Sequence, residues 1–125
     1  MTDREGYLAI TPYFTALDAD RLIRFLEEAF GGVIIKLTRT DDCLLQHARV
    51  RIEDSVVMLS QASGDYTPNV SQMHLFVTDA DKTYTQALPA DGISIMEPNL
   101  RPHGEWVACV EDPCGNRWWI ASEPG

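Results

Sequence analysis

Cysteine is scarce in this sequence, and positive charge is scarcer than negative. The three cysteines, Cys43, Cys109 and Cys114, are an odd number and show no C-x-x-C spacing. That excludes a disulfide framework and a structural zinc site as organising devices, and it points to reduced thiols in a cytoplasmic protein. Ten Lys and Arg stand against nineteen Asp and Glu, a formal net charge of −9. Nucleic-acid binding draws its affinity from clustered basic side chains that release counterions, so no nucleic-acid partner is expected. No stretch approaches the ~18 consecutive apolar residues of a membrane span, so no membrane partner is expected either. Met1 to Gly6 is charged and lacks an apolar run, which argues against a signal peptide.

What is present suits one globular domain over residues 1–125. The chain is 45% apolar, and folding at this length buries roughly two thirds of the unfolded surface. Alternation of Ile10, Phe14 and Ala16 with Thr11, Tyr13 and Thr15 predicts a strand over Leu8 to Ala16. Asp18 then caps a helix whose apolar stripe is Leu22, Phe25, Leu26, Ala29 and Phe30, stopped by Gly31-Gly32. Strands follow at Val33 to Thr38, Leu44 to Ile52 and Val56 to Leu59.

After a polar, turn-rich linker, Gln61 to Ser71, the same order returns. Gln72 to Val77 is a strand, Asp79 caps a helix that ends near Pro89 to Gly92, and Ile93 to Met96 is a strand. A loop over Glu97 to Gly104, a strand over Glu105 to Val110, the turn Asp112 to Asn116 and a last strand, Arg117 to Ala121, complete the chain. One gapless offset superposes the halves, laying Asp18-Ala19-Asp20-Arg21 on Asp79-Ala80-Asp81-Lys82 and Val57-Met58-Leu59 on Trp118-Trp119-Ile120. The expected fold class is α+β: two βαβββ modules, 7–62 and 70–123, forming a curved, cup-shaped mixed sheet with helices on its convex face. Neither half buries its own sheet easily, so the two are read as one domain.

Paired βαβββ modules with a terminal Asp112-Pro113-Cys114-Gly115-Asn116 turn resemble the vicinal oxygen chelate superfamily of glyoxalase I, extradiol dioxygenases and bleomycin-resistance proteins. Thr11-Pro12-Tyr13-Phe14, Gln46-His47-Ala48 followed by Asp54 to Leu59, and Asp112 to Trp118 look most like its PhnB-like branch. Pro102-His103-Gly104 together with the terminal turn is similar to the bleomycin-resistance branch. In the catalytic branches four positions on the inner face of the sheet hold a divalent metal. Carried over, they fall on Thr11, Met58, Gln72 and Trp119. A thioether and an indole stand where hard or borderline metals want oxygen or imidazole. No metal, no cofactor and no catalytic residue are therefore assigned.

Strand alternation sorts the side chains onto two faces. Ile10, Phe14, Ala16, Val57, Leu59, Met73, Leu75, Val77, Trp118 and Ile120 are expected under the helices. The other face receives Tyr13, Met58, Gln72, His74, Phe76, Arg117 and Trp119. The repeat adds Leu45 with Trp106 and His47 with Ala108. Candidate ligand-binding residues are accordingly Tyr13, His47, Met58, Gln72, His74, Phe76, Trp106 and Trp119. Each has a plainer role open to it: the aromatics can fill the sheet's curvature, and the two histidines, lacking a carboxylate neighbour on that face, can be structural. An apolar wall with a few convergent polar groups is what small-molecule sites show.

The expected function is a metal-free protein that sequesters a small aromatic, cationic antibiotic or related natural product, as the bleomycin-resistance branch does. The alternative is a PhnB-like or glyoxalase-like enzyme with a non-standard or metal-free site. The resemblance also implies a homodimer whose cavities are shared between chains.

Overall fold

Two aspartates at corresponding positions start the two helices. In the computed structural model, which describes residues 9–124, Asp18 accepts a hydrogen bond from the Arg21 amide (3.2 Å) and Asp79 one from the Lys82 amide (3.1 Å). Both satisfy an amide that the helix itself leaves open. Around them the elements run β1 (Tyr13–Ala16), α1 (Ala19–Phe30), β2 (Val33–Arg39), β3 (Leu45–Ile52) and β4 (Ser55–Gln61). The second half repeats them as β5 (Gln72–Phe76), α2 (Ala80–Ala87), β6 (Ile93–Leu100), β7 (Trp106–Glu111) and β8 (Arg117–Ser122). Each half builds a four-stranded mixed sheet, ordered β1-β4-β3-β2 and β5-β8-β7-β6, whose first and last strands pair in parallel. The fold is α+β, as expected.

The helices cover one face of each sheet, and the two buried faces join. Leu22, Phe25 and Leu26 of α1 share a cluster with Phe14, Val50, Val57 and Leu59, and also with Val110, Trp118 and Ile120 of the second half. Trp118 is the keystone. Its ring centroid lies 5.9 Å from that of Phe14 and 5.0 Å from that of Phe30. Burying a side chain of this size stabilises by roughly 1.5–3 kcal/mol, and Trp118 is buried among residues of both halves.

Three local expectations need correction. β1 begins at Tyr13, because Pro12 has no amide to give a ladder. Leu8 lies outside the described residues, and Ile10 is 87% exposed instead of in the core. β6 continues to Leu100 through Pro98, where a loop was expected. It is an edge strand, so the missing Pro98 amide costs no ladder bond, and the register slips between Met96 and Asn99. The loop shrinks to a tight turn in which Gly104 and Arg101 are hydrogen-bonded (Gly104 N to Arg101 O, 2.9 Å).

The largest correction concerns the repeat. Ala48 pairs with Leu59 and Val50 with Val57 in the first half; Ala108 pairs with Ile120 and Val110 with Trp118 in the second. Val33 and Ile93 likewise face Arg51 and Glu111. Over β6 and β7 the structural correspondence is therefore one residue off the gapless offset. A residue is missing between helix and strand, and the longer Asp112–Asn116 turn restores the phase. A slip of one residue exchanges the faces of a strand. His47 corresponds to Val107, not Ala108. Trp106, in phase with Ala108 and Val110, lies on the helix side, where its indole N–H donates to Asp81 Oδ1 of α2 (3.1 Å). Leu45 also leaves the expected face: a bulge between Thr38↔His47 and Arg39↔Leu45 turns it into the core, 1% exposed.

Candidate functional site

The face away from the helices carries the remaining candidates in two groups. In the second sheet, the parallel pairing of β5 with β8 sets Gln72 beside Arg117, His74 beside Trp119 and Phe76 beside Ala121. Registered neighbours share a face. The Trp119 indole N–H donates to Gln72 Oε1 at 2.9 Å, which fixes the ring in its plane. Antiparallel pairing adds Cys109 opposite Trp119 and Val107 opposite Ala121. In the first sheet, Tyr13 stands beside Met58, with Arg49 across from Met58 and Arg51 across from Val56. The rings of Tyr13 and His47 lie 6.1 Å apart at 47°.

The turn between β6 and β7 completes the second group. Glu105, immediately before β7, accepts at one oxygen from two imidazoles: Oε1 is 3.0 Å from His74 Nε2 and 3.1 Å from His103 Nε2. The His74 bond, and then the His103 bond, holds the Glu105 carboxyl below the usual range. An ionised carboxylate only accepts, so each Nε2 carries the proton of its bond, and in a neutral ring Nδ1 is then the acceptor. His74, Arg101, Pro102, His103, Val107 and Trp119, with Glu105, line a hollow of about 340 Å³. The carboxylate that the sequence reading lacked beside His74 is Glu105. Arg49 and Arg51 were missed as well, although alternation from His47 along β3 puts both on its face.

The hollow over Trp119 is built wholly by the second module, and one of about 390 Å³ beside Tyr13, Ser60 and Tyr66 by the first module and the linker. The two modules meet through their cores. Phe76 is 51% and Tyr13 45% exposed. Two of the three thiols offer no ready nucleophile, because burial pushes Cys109 and Cys114 up, away from the thiolate.

Asp112 explains the terminal turn. It is 1% exposed and accepts from the amides of Cys114 (2.8 Å) and Asn116 (3.0 Å), from Asn116 Nδ2 (3.0 Å) and from the Trp118 indole (2.8 Å). Burial still raises its pKa, against the pull of those donors. The motif is structural, aiming Trp118 into the core and Trp119 out of it.

A duplicated βαβββ sheet with helices on one face and a mixed polar–aromatic surface on the other defines a class of ligand-binding scaffolds. The sequence profile of the Glyoxalase/Bleomycin resistance protein/Dioxygenase superfamily matches residues 12–120, and the chain belongs to that superfamily. An uncharacterised protein of Mycobacterium bovis is 29% identical over 121 residues, covering 88% of this chain and 80% of that protein. Among solved structures, TioX from Micromonospora sp. ML1 superposes with a TM-score of 0.76 at 18% identity, covering 94% of this chain and 98% of TioX. A PhnB protein from Bacillus cereus, described as a putative 3-demethylubiquinone-9 3-methyltransferase, gives 0.68 at 16% identity, covering 92% and 99%. These structural likenesses establish the shared fold.

Catalytic branches of the superfamily hold a metal at positions that fall here on Thr11, Met58, Gln72 and Trp119. These residues do not fit one. The Gln72 carbonyl oxygen already accepts the Trp119 N–H, and Met58 offers a thioether where oxygen or imidazole is wanted. Among the described residues no three His, Cys, Asp or Glu are grouped as a metal site requires. Nor is any described helix long and apolar enough to cross a membrane.

Proposed function

We propose that the protein binds a planar aromatic small molecule against Trp119 and sequesters it, without turning it over through a metal. The carrying observation is the Trp119 indole, pinned by Gln72 and facing a hollow walled by Val107 and Pro102. An aromatic plane with apolar walls and a few oriented polar groups is the usual make-up of a small-molecule site. The net charge of −9 does not describe this face, where Arg49 and Arg51 stand on the first sheet and Arg117 lies 3.7 Å from Glu111 on the second. Ring stacking, more than attraction of a cation, supplies the selectivity. An aromatic antibiotic or related natural product is the class of ligand.

The complete cup belongs to a two-fold dimer, in which Tyr13, His47 and Met58 of one copy face Gln72, His74, Phe76 and Trp119 of the other. The support is that Tyr13 and Phe76 stand half-exposed and that the two groups line separate hollows. A self-complementary two-fold contact covers both at once. The test is titration of the protein's tryptophan fluorescence with a panel of planar aromatic antibiotics at micromolar concentration. Saturable quenching is expected, and unchanged emission across the panel overturns the reading.

A further inference from the structure

Resting on that aromatic-binding reading, we infer that His74 and Glu105 form a proton-accepting pair that ionises a hydroxyl on the bound ring, so that the ligands selected are phenols. Four observations carry it. His74 is the registered neighbour of Trp119 across a parallel strand pair, so a ring stacked on the indole has its edge beside the imidazole. Glu105 holds His74 through Nε2, which leaves Nδ1 as the acceptor and sets the tautomer. The same carboxylate oxygen holds His103, so the β6–β7 turn is tied down over the hollow. The walls there are Val107, Pro102 and the indole, and among the side chains that line the hollow His74, His103 and Glu105 supply the acceptors.

The step balances simply. The phenol O–H bond breaks heterolytically, its electron pair stays on oxygen and its proton goes to His74 Nδ1. The ring becomes an imidazolium whose charge is offset by Glu105 on one side and the phenolate on the other. The Glu105 carboxylate behind the imidazole holds the ring through Nε2. The charged and titratable groups around His74 come from two turns. Glu105 and His103 approach from the turn, with Arg101 beside them to attract the phenolate. Glu53 and Asp54, from the β3–β4 turn, line a separate hollow that reaches His74 from the first module.

The test uses 4-nitrophenol, whose phenolate is yellow and whose phenol form is not. Equilibrium dialysis gives the amount bound, and absorbance gives its ionisation. The pH is set about one unit below the pKa of the free dye, where roughly a tenth is ionised in solution. Most of the bound dye should be phenolate, several-fold more than in free solution. His74→Ala and Glu105→Gln should keep the dye bound but return it to the colourless form. Glu105→Gln keeps a carbonyl acceptor for both imidazoles, so its effect is one of charge and not of folding. Bound but un-ionised dye in the unaltered protein overturns the inference while leaving aromatic binding intact. So does ionisation that survives His74→Ala. If the dye does not bind although aromatic antibiotics quench the fluorescence, the phenol selectivity fails alone. If neither binds, the aromatic-binding reading fails with it.

Discussion

The Trp118 indole N–H donates to Asp112 Oδ2 at 2.8 Å, and through that one bond the last turn of the chain sets the centre of the core. Removing Asp112 strips four donors of a common acceptor, each of which costs about 1–3 kcal/mol when left buried and unpaired. Asp112→Ala is expected to destabilise by about 4 kcal/mol or more, near the limit for a domain of this size. Trp118→Phe keeps most of the packing and should cost about 1–2 kcal/mol. Urea midpoints for the two variants check the order.

The pH dependence of stability has opposing parts. Asp112 has a raised folded pKa, so the native state takes up its proton more readily than the unfolded chain. Its contribution is most favourable below the unfolded pKa and declines as pH rises through the folded one. Glu105, lowered by His74 and His103, and Asp20, lowered chiefly by its bond to Arg39, act the other way. Their stabilisation is present above the ordinary carboxylate pKa and is lost as pH falls. Denaturation midpoints from pH 6 to pH 3 should therefore fall less steeply with acid in Glu105→Gln than in the unaltered protein. Parallel curves would contradict the assigned pairing.

Trp106 and Trp119 should separate cleanly in ligand binding. Trp106 donates to Asp81 on the helix side, so Trp106→Phe should leave affinity for an aromatic antibiotic within about twofold. Trp119→Ala removes the stacking plane and should weaken binding by about tenfold. Isothermal titration of both variants decides the matter, and equal losses would return Trp106 to the ligand face.

The glycines after the two helices differ in what they tolerate. Gly31 is left-handed at φ 68°, but a Cβ there meets nothing within 4 Å, so Gly31→Ala should cost about 1 kcal/mol of conformational strain. A Cβ on Gly92 would sit 2.5 Å from the Ala87 carbonyl oxygen, which is helix backbone and cannot move aside cheaply. Gly92→Ala should therefore cost about 2 kcal/mol or more. Thermal melts that rank Gly31→Ala as the worse variant would refute this.

Most of the architecture was legible because local chemistry and periodicity agree. Asp18 and Asp79 announce their helices, and the apolar stripe of α1 reads at helical spacing without ambiguity. The face away from the helices was legible wherever phase could be counted from within one strand, as for His74, Phe76 and Trp119. It failed where phase was borrowed from the repeat. Trp106 was misplaced because one residue lost before β6 is hidden by one gained in the Asp112 turn, leaving the overall offset intact. Leu45 was misplaced by a bulge that has no signal in residue type. Glu105 was invisible for another reason: its partnership with His74 spans 31 residues and depends on how tightly the β6–β7 turn closes.

The linker has a consequence for how the protein stays dispersed. Asn69 bonds the exposed side of β1 twice, its Oδ1 accepting from the Thr15 amide (2.7 Å) and its own amide donating to the Thr15 carbonyl (3.0 Å). A short stretch of connecting chain thus occupies the hydrogen-bonding groups with which β1 could recruit a foreign strand. The first sheet is then more open to lateral growth at β2 than at β1, and on the outer strand of the second, β6, Pro98 interrupts the row of amides that a recruited strand would need. Connection and protection against fibrous self-association are supplied by the same few residues, so shortening the linker would expose a sticky edge before it strained the fold.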